Sequence, residues 1–179
     1  MKHAGLVVFA VGFASALAAG WAGLPRVLYR TEAQPVGFSH KVHTGEKVGM
    51  ACNDCHAITD AGHFGGIPKI DKCAGCHAEP VTTSADEKRL VERFVKPGRE
   101  VPWGVYARQP QNVRFSHAIH QNLAKLKCEQ CHGQHGTSDK LPLVRVNRIS
   151  GYAHTMKMSE CEQCHAEKRV GTTCQSCHK

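Results

Sequence analysis

The sequence lacks free cysteines, an aromatic-rich core and any set of residues typical of acid–base or nucleophilic chemistry. All 10 cysteines belong to repeated C-x-x-C pairs, and none is left over. Phe, Trp and Tyr make up 6% of the 179 residues, which is little for a conventional side-chain core. No segment interleaves aromatic and basic residues, so the formal charge of +8 does not indicate nucleic-acid binding.

Every C-x-x-C pair is followed directly by histidine, which gives five copies of C-x-x-C-H. The cysteines are Cys52, Cys55, Cys73, Cys76, Cys128, Cys131, Cys161, Cys164, Cys174 and Cys177, and the histidines are His56, His77, His132, His165 and His178. This motif is the attachment signal for c-type haem, in which both thiols bond to the haem and the histidine ligates the iron. A zinc site needs four ligands at related spacings, and a disulfide scaffold does not repeat one close pair in this way. The sequence therefore predicts five covalently bound haem c groups with their iron.

The number of haems for this chain length predicts a haem-filled core. Without the apolar N-terminus, about 150 residues remain, a length typical of one domain. Such a chain has too few apolar side chains to surround each macrocycle, so the haem faces must supply much of the interior. We predict a mainly α fold with little regular structure, in which short helices carry the motifs and covalent haem holds the loops. The haem propionates offset the basic charge of the chain.

The N-terminal segment Ala4–Leu24 is an apolar run without a formal charge. Its length is sufficient for one helix to cross a bilayer. A cleaved signal peptide is the alternative, because Ala16-Leu17-Ala18 matches an A-x-A cleavage site. The run continues past this site to Trp21 and Leu24, which favours an uncleaved anchor. We predict a protein of the cytoplasmic membrane, anchored by one transmembrane helix, with the haem domain facing the periplasm because c-type haem is attached on that side.

A repeated element divides the rest of the chain. Phe-Ser-His-x-x-His occurs at 38–43 and again at 115–120, each time before a C-x-x-C-H motif. Histidines at i and i+3 on one helical turn point in neighbouring directions and are able to ligate two different haems. In the connector, Ser84 and Glu87 form a capping-box pattern that predicts the start of a helix. The predicted divisions are a membrane anchor (1–30), a two-haem module (31–81), the connector (82–112) and a three-haem module (113–179).

Each low-spin haem iron needs a second axial ligand besides the motif histidine. Seven histidines are available beyond the N-terminal segment: His40, His43, His63, His117, His120, His135 and His154. The supply exceeds the demand, so we predict bis-histidine ligation of all five haems and therefore low reduction potentials. Methionine is the alternative distal ligand and would raise the potential of its haem. The methionines beyond the N-terminal segment are Met50, Met156 and Met158.

Residues 113–179 resemble a trihaem member of the class III multihaem cytochromes c. The shared order is F-x-H-x-x-H, one C-x-x-C-H, a lone histidine, and two further C-x-x-C-H motifs at the C-terminus. The resemblance implies that the first histidine of the pair serves the first haem, the second serves the next haem and the lone histidine serves the last. For this chain it implies the pairs His117 with His132, His120 with His165, and His154 with His178.

The same scheme applied to the two-haem module implies two more ligand pairs, namely His40 with His56 and His43 with His77. His63 stands where the lone histidine of the scheme would stand, so His63 is the alternative to His43 as ligand of the second haem. His63 and His135 are otherwise left over. A sixth haem that these two histidines hold without thiols is the remaining alternative.

The whole chain resembles the multihaem cytochrome c subunit of membrane quinone oxidoreductase complexes. This class includes alternative complex III and the menaquinone reductase complex of sulfate reducers. The shared features are the anchor, the five motifs, and the stretch V-P-W-x₆-P-x-x-V-x-F-S-H-x-x-H from Val101 to His120. The resemblance implies electron relay between a soluble periplasmic multihaem cytochrome c and a menaquinone-reactive complex, without catalysis by the chain itself. The implied partners are molybdopterin-fold, iron–sulfur and polytopic quinone-binding membrane subunits.

Three other functions are alternatives for a chain with these motifs. A stand-alone anchored quinol dehydrogenase resembles the chain in having one anchor and several haems, but the Met that some of those proteins place two residues after a motif histidine is absent. A free periplasmic electron carrier requires cleavage of the N-terminus. A pentahaem nitrite reductase replaces one motif histidine by lysine, whereas all five motifs here keep histidine.

Overall fold

A computed structural model describes residues 2–58, 66–106, 109–110, 112–150 and 156–178 of the chain. The α-helices are α1 Lys2–Leu28, α2 His40–Thr44, α3 Cys52–Cys55, α4 Ile70–Ala74, α5 Ala85–Leu90, α6 Glu129–His132, α7 Met158–Glu167 and α8 Cys174–Cys177. Two π-helical turns span Val91–Val95 and Ile119–Leu123, and a 3-10 turn spans His135–Thr137. The two strands are β1 Tyr29–Glu32 and β2 Val144–Asn147. The prediction of a mainly α fold with little regular structure is confirmed.

Helix α1 is the one long helix among the described residues, and its apolar stretch is exposed. The segment Ala4–Leu28 has a mean hydropathy of 1.9 over its most apolar part, and none of that part is buried against the rest of the chain. Trp21 is 88% exposed and Leu6 is 67% exposed. The length and composition of this segment are sufficient to cross a membrane.

Helix α1 runs directly into a two-stranded antiparallel ribbon that the sequence did not predict. Strand β1 pairs with β2 in a register that places Tyr29 opposite Asn147 and Glu32 opposite Val144. The Arg145 guanidinium lies 4.2 Å from the centre of the Tyr29 ring, a cation–π contact. The ribbon therefore ties the end of the apolar helix to the C-terminal half of the chain.

A small apolar core lies around the second C-x-x-C-H motif. Val36, Ile70 and Val101 are each less than 9% exposed and contact one another. Phe94 and Trp103 pack against this cluster from the connector. The predicted connector helix is present as α5, which continues into the π-helical turn Val91–Val95, and this turn packs on α4. The connector is therefore part of the same packed unit as the second motif.

A second contact brings the N-terminal part of the chain against the segment that follows the third motif. The backbone N–H of Lys41 donates to Ser138 O over 3.1 Å. The Thr44 hydroxyl donates to Gly136 O over 2.6 Å. Helix α2, which carries His40 and His43, is held in place by these hydrogen bonds to the 3-10 turn and the residue after it.

Candidate haem centres

The two Phe-Ser-His-x-x-His elements adopt nearly the same local geometry. In the first, the Ser39 hydroxyl caps α2 by accepting from the Val42 N–H. The Phe38 ring then meets the His40 ring edge-on at 5.0 Å and stacks on the His43 ring at 4.3 Å. In the second element, Phe115 meets its two histidine rings at 4.7 Å in the same edge-on and stacked arrangements. The aromatic side chain thus orients both histidines of each element.

The structure brings four of the five expected histidine pairs together. The ring centres are 6.4 Å apart for His40–His56, 6.1 Å for His43–His77, 6.2 Å for His117–His132 and 6.1 Å for His120–His165. An imidazole nitrogen binds a metal at about 2 Å, so two rings on opposite sides of one metal have centres about 6 Å apart. The pairs therefore have the separation that a shared iron requires.

The hydrogen bonds at Nδ1 leave the other ring nitrogen available in several of these histidines. His43 Nδ1 and His120 Nδ1 each lie 2.8 Å from a backbone carbonyl, that of Ser39 and Ser116 respectively. His165 Nδ1 lies 3.1 Å from Gly171 O. A carbonyl oxygen only accepts, so Nδ1 carries the proton and donates. Nε2 then has its lone pair free, as a metal ligand requires.

Burial keeps some of the paired rings in the neutral form that binds a metal. Desolvation by burial lowers the pKa of His40, and the neighbouring rings of His56, His135 and His43 lower it further. Desolvation likewise lowers the pKa of His117 and His132. A metal ligand must be deprotonated, so these shifts favour ligation at neutral pH.

Glu87 contacts the site, although the sequence pattern predicted for it only a role in capping a helix. The Ser84 hydroxyl does accept from the Glu87 N–H, as expected for a cap. The Glu87 carboxylate, however, lies 2.8 Å from His77 Nδ1. Burial opposes ionisation of this carboxyl, but hydrogen bonds from Thr82, Val81 and His77 outweigh it and lower the pKa of Glu87 to about 2. Nothing in the local sequence marks this carboxylate as a partner of the motif histidine.

Thiols of different motifs lie close enough together to affect one another's pKa. Burial raises the pKa of the Cys52 thiol, and a hydrogen-bonding contact with the Cys128 thiol raises it further. Burial also raises the pKa of Cys73, and the nearby Cys55 thiol adds to this shift. In the later motifs, burial raises the pKa of both Cys131 and Cys161. The Cys164 thiol adds to the shift of Cys131, and the Cys177 thiol adds to that of Cys161. These interactions link the second motif to the first, the first to the third, the third to the fourth, and the fourth to the fifth.

The remaining candidate histidines differ in how they are placed. His135 is not in one of the expected pairs, but its ring centre is 6.2 Å from that of His40 and 5.6 Å from that of Tyr106. His178 Nδ1 lies 3.4 Å from the Asn112 side-chain amide, and its backbone bridges to Val113. His63 and His154 lie outside the described residues, and so does the expected pair of His154 with His178.

Comparisons with known proteins identify the family of the chain. Residues 23–100 match the class III cytochrome c family, and residues 113–179 match the family of cytochrome c7 and related cytochromes c. A curated relative is the "Menaquinone reductase, multiheme cytochrome c subunit" of Nitratidesulfovibrio vulgaris (strain Hildenborough). It is 41% identical over 191 aligned positions, which cover 98% of this chain and 90% of the relative. Families of this kind bind haem c covalently, and the chain therefore belongs to the family of multihaem cytochrome c subunits that this relative represents.

Proposed function

We propose that this chain is a pentahaem cytochrome c that relays electrons as a subunit of a membrane quinone oxidoreductase complex. The observation that carries the proposal is the set of four histidine pairs with ring centres 6.1–6.4 Å apart, each containing one motif histidine. The relative named as a menaquinone reductase subunit supports menaquinone as the quinone. The haem iron, when bound, supplies the one-electron redox couple, and the chain positions it.

The proposed ligands are ten histidines in five pairs. Four pairs are those whose rings meet in the structure, and the fifth pairs His154 with His178 by resemblance to the class III cytochromes. The thiols of all five C-x-x-C-H motifs form the covalent attachments. In the described part of the chain, the second haem is assigned to His43 and His77 because these two rings lie 6.1 Å apart.

The adjacent thiols support an order of attachment sites along the protein. We place the second motif at one end, followed by the first, third, fourth and fifth motifs. Close spacing of neighbouring sites is what a one-electron relay requires. The N–H of Arg114 donates to Cys177 O over 2.6 Å, which places the start of the three-haem module against the fifth motif.

The proposed location is the cytoplasmic membrane, with the haem-bearing residues on the periplasmic side. The exposed apolar segment Ala4–Leu28 supports a membrane anchor. The proposed partners are molybdopterin-fold, iron–sulfur and polytopic quinone-binding subunits, with a soluble periplasmic cytochrome c as the redox partner outside the complex. Electron transfer, rather than catalysis by this chain alone, is the proposed contribution.

Gentle detergent extraction of native membranes, followed by haem-tracked purification and mass spectrometry, tests this function. We expect the chain to copurify with large iron–sulfur and polytopic subunits and to carry five haem masses on its five motif peptides. Recovery of the chain alone with its N-terminus intact would instead favour a stand-alone quinol dehydrogenase. Recovery of a shortened soluble chain would favour a free periplasmic carrier.

A further inference from the structure

Glu87 is held rigidly against the ring of His77. One carboxylate oxygen lies 2.8 Å from His77 Nδ1 and accepts from the Val81 N–H, also at 2.8 Å. The other oxygen accepts from the Thr82 N–H at 2.8 Å and from the Thr82 hydroxyl. Only 9% of the Glu87 surface is exposed. The carboxylate therefore has a fixed position and little contact with solvent.

A carboxylate at Nδ1 changes the electronic character of a ligating imidazole. When Nδ1–H donates to a carboxylate, the ring becomes more basic and donates more electron density through Nε2. A more strongly donating axial ligand stabilises the oxidised, more positive iron, and the reduction potential of that haem falls. Burial strengthens the effect, because a carboxylate with few water neighbours is weakly screened.

Three other paired histidines direct Nδ1 to neutral groups. The carbonyl oxygens of Ser39, Ser116 and Gly171 accept from the Nδ1 atoms of three paired histidines. The Nδ1 atom of His40 is buried and has no hydrogen-bond partner among the described residues. Among the described contacts, His77 is therefore distinguished by a carboxylate at its Nδ1 atom.

We propose that Glu87 is a tuning residue that lowers the reduction potential of the haem attached at Cys73 and Cys76. The inference rests on the proposed ligation of that haem by His43 and His77. Glu87 acts through His77 and does not touch the iron. Glu87 makes this haem more reducing than bis-histidine ligation alone would make it.

The test compares Glu87→Gln with a matched loss of charge close by. Glu79 lies two residues after His77, is 73% exposed in its side chain and pairs with Lys96 at 2.9 Å. Glu79→Gln therefore removes the same charge near the same haem without touching Nδ1. The full-length protein in detergent is titrated electrochemically, with the haem absorbance recorded at each potential. A third variant, His43→Met, marks the component of the second haem, since methionine raises the potential of the haem it ligates.

We expect Glu87→Gln to shift one of the redox components upward, the same component that His43→Met shifts, and to leave the others in place. Glu79→Gln should shift that component much less. Thr82→Val should shift the potential of the same component in the opposite direction, downward. Loss of the hydroxyl donor leaves more of the carboxylate's negative charge to act on His77. This variant retains Glu87, so it also answers the question if Glu87→Gln fails to accumulate.

The proposal is overturned if Thr82→Val and Glu87→Gln leave this component unchanged, or if Glu79→Gln moves it as far as Glu87→Gln does. Failure of the proposed function has a separate signature. In that case the wild-type peptide that contains Cys73 and Cys76 carries no haem mass, or the wild-type spectrum shows a high-spin second haem. Both can be read from the wild-type protein before any Glu87 variant is made.

Discussion

The two Phe-Ser-His-x-x-His elements are alike within themselves and differ in what surrounds them. In both, a phenylalanine ring stacks on the second histidine, whose Nδ1 lies 2.8 Å from the carbonyl of the preceding serine. The first element forms an α-helical turn, whereas the second continues into a π-helical turn at Ile119–Leu123. Local sequence therefore determines the orientation of the histidines, and this orientation is the same in an α-helical and in a π-helical turn.

The surroundings of the two elements set them apart. The first is held by the segment after the third motif, through Thr44, Lys41 and Asp139. In the first element the second histidine pairs with His77, whose Nδ1 contacts the Glu87 carboxylate. In the other element the second histidine pairs with His165, whose Nδ1 contacts a backbone carbonyl. Equal ring separations thus coexist with unequal hydrogen-bond partners, and this contrast can be tested at several levels.

The largest expected effect is loss of an axial ligand from either element. His43→Ala and His120→Ala should each convert one haem to the high-spin state, because one of its two ligands is lost. Electron paramagnetic resonance of the oxidised protein measures the change. His135→Ala is the control, since His135 lies 6.2 Å from His40 but outside the proposed pairs. A high-spin signal from the control, or none from His43→Ala, would contradict the ligand assignment.

The expectation of haem centres comes from local motifs. Covalent attachment and the proximal ligands follow from the contiguous C-x-x-C-H motifs, and the i, i+3 spacing of histidines acts within one helical turn. The predicted apolar helix and the helix beginning after Ser84 are likewise local patterns. These features need no knowledge of distant residues.

Contacts between distant residues that no motif marks were not predicted from the sequence. Strands β1 and β2 have four residues each, and their pairing joins the N-terminal and C-terminal parts of the chain. The Glu87–His77 hydrogen bond depends on how the loop through Val81 and Thr82 folds back. A local pattern assigned Glu87 to a cap, and the tertiary structure directed its carboxylate elsewhere.

Acidification should separate the surroundings of the two elements. The pKa of Glu87 is lowered from 4.5 to about 2, so its contribution to stability is complete above pH 4.5 and is lost as pH falls through about 2. Wild type should therefore be more stable than Glu87→Gln near neutral pH, and this advantage should shrink across that window. Denaturant unfolding of the holoprotein at a series of pH values measures it. An advantage that does not vary with pH would contradict the assigned role of the carboxylate.

A smaller difference is expected between Phe38→Leu and Phe115→Leu. Phe38 is partly buried and stacks at 4.3 Å, whereas Phe115 is 38% exposed and stacks at 4.7 Å. We expect a loss of about 1.5 kcal/mol in the free energy of unfolding for Phe38→Leu and less than about 1 kcal/mol for Phe115→Leu. Denaturant titration of variants with equal haem content measures both. Equal losses would show that the contacts of the first element with the segment after the third motif do not affect how the Phe38 ring packs.

The smallest effects concern the polar contacts that hold only the first element. The Thr44 hydroxyl is partly buried, donates its one proton to Gly136 O at 2.6 Å and lies 3.0 Å from His40 O. Thr44→Val should therefore lower the free energy of unfolding by about 1 kcal/mol. Asp139 is 65% exposed and meets the Lys41 ammonium at 3.4 Å, so Asp139→Asn should cost at most about 0.5 kcal/mol. The same denaturant titration resolves the order, and added salt should remove the Asp139 effect while leaving that of Thr44. If Asp139→Asn proved the costlier change, the first element would depend on charge rather than on the buried hydroxyl for its position against the 3-10 turn.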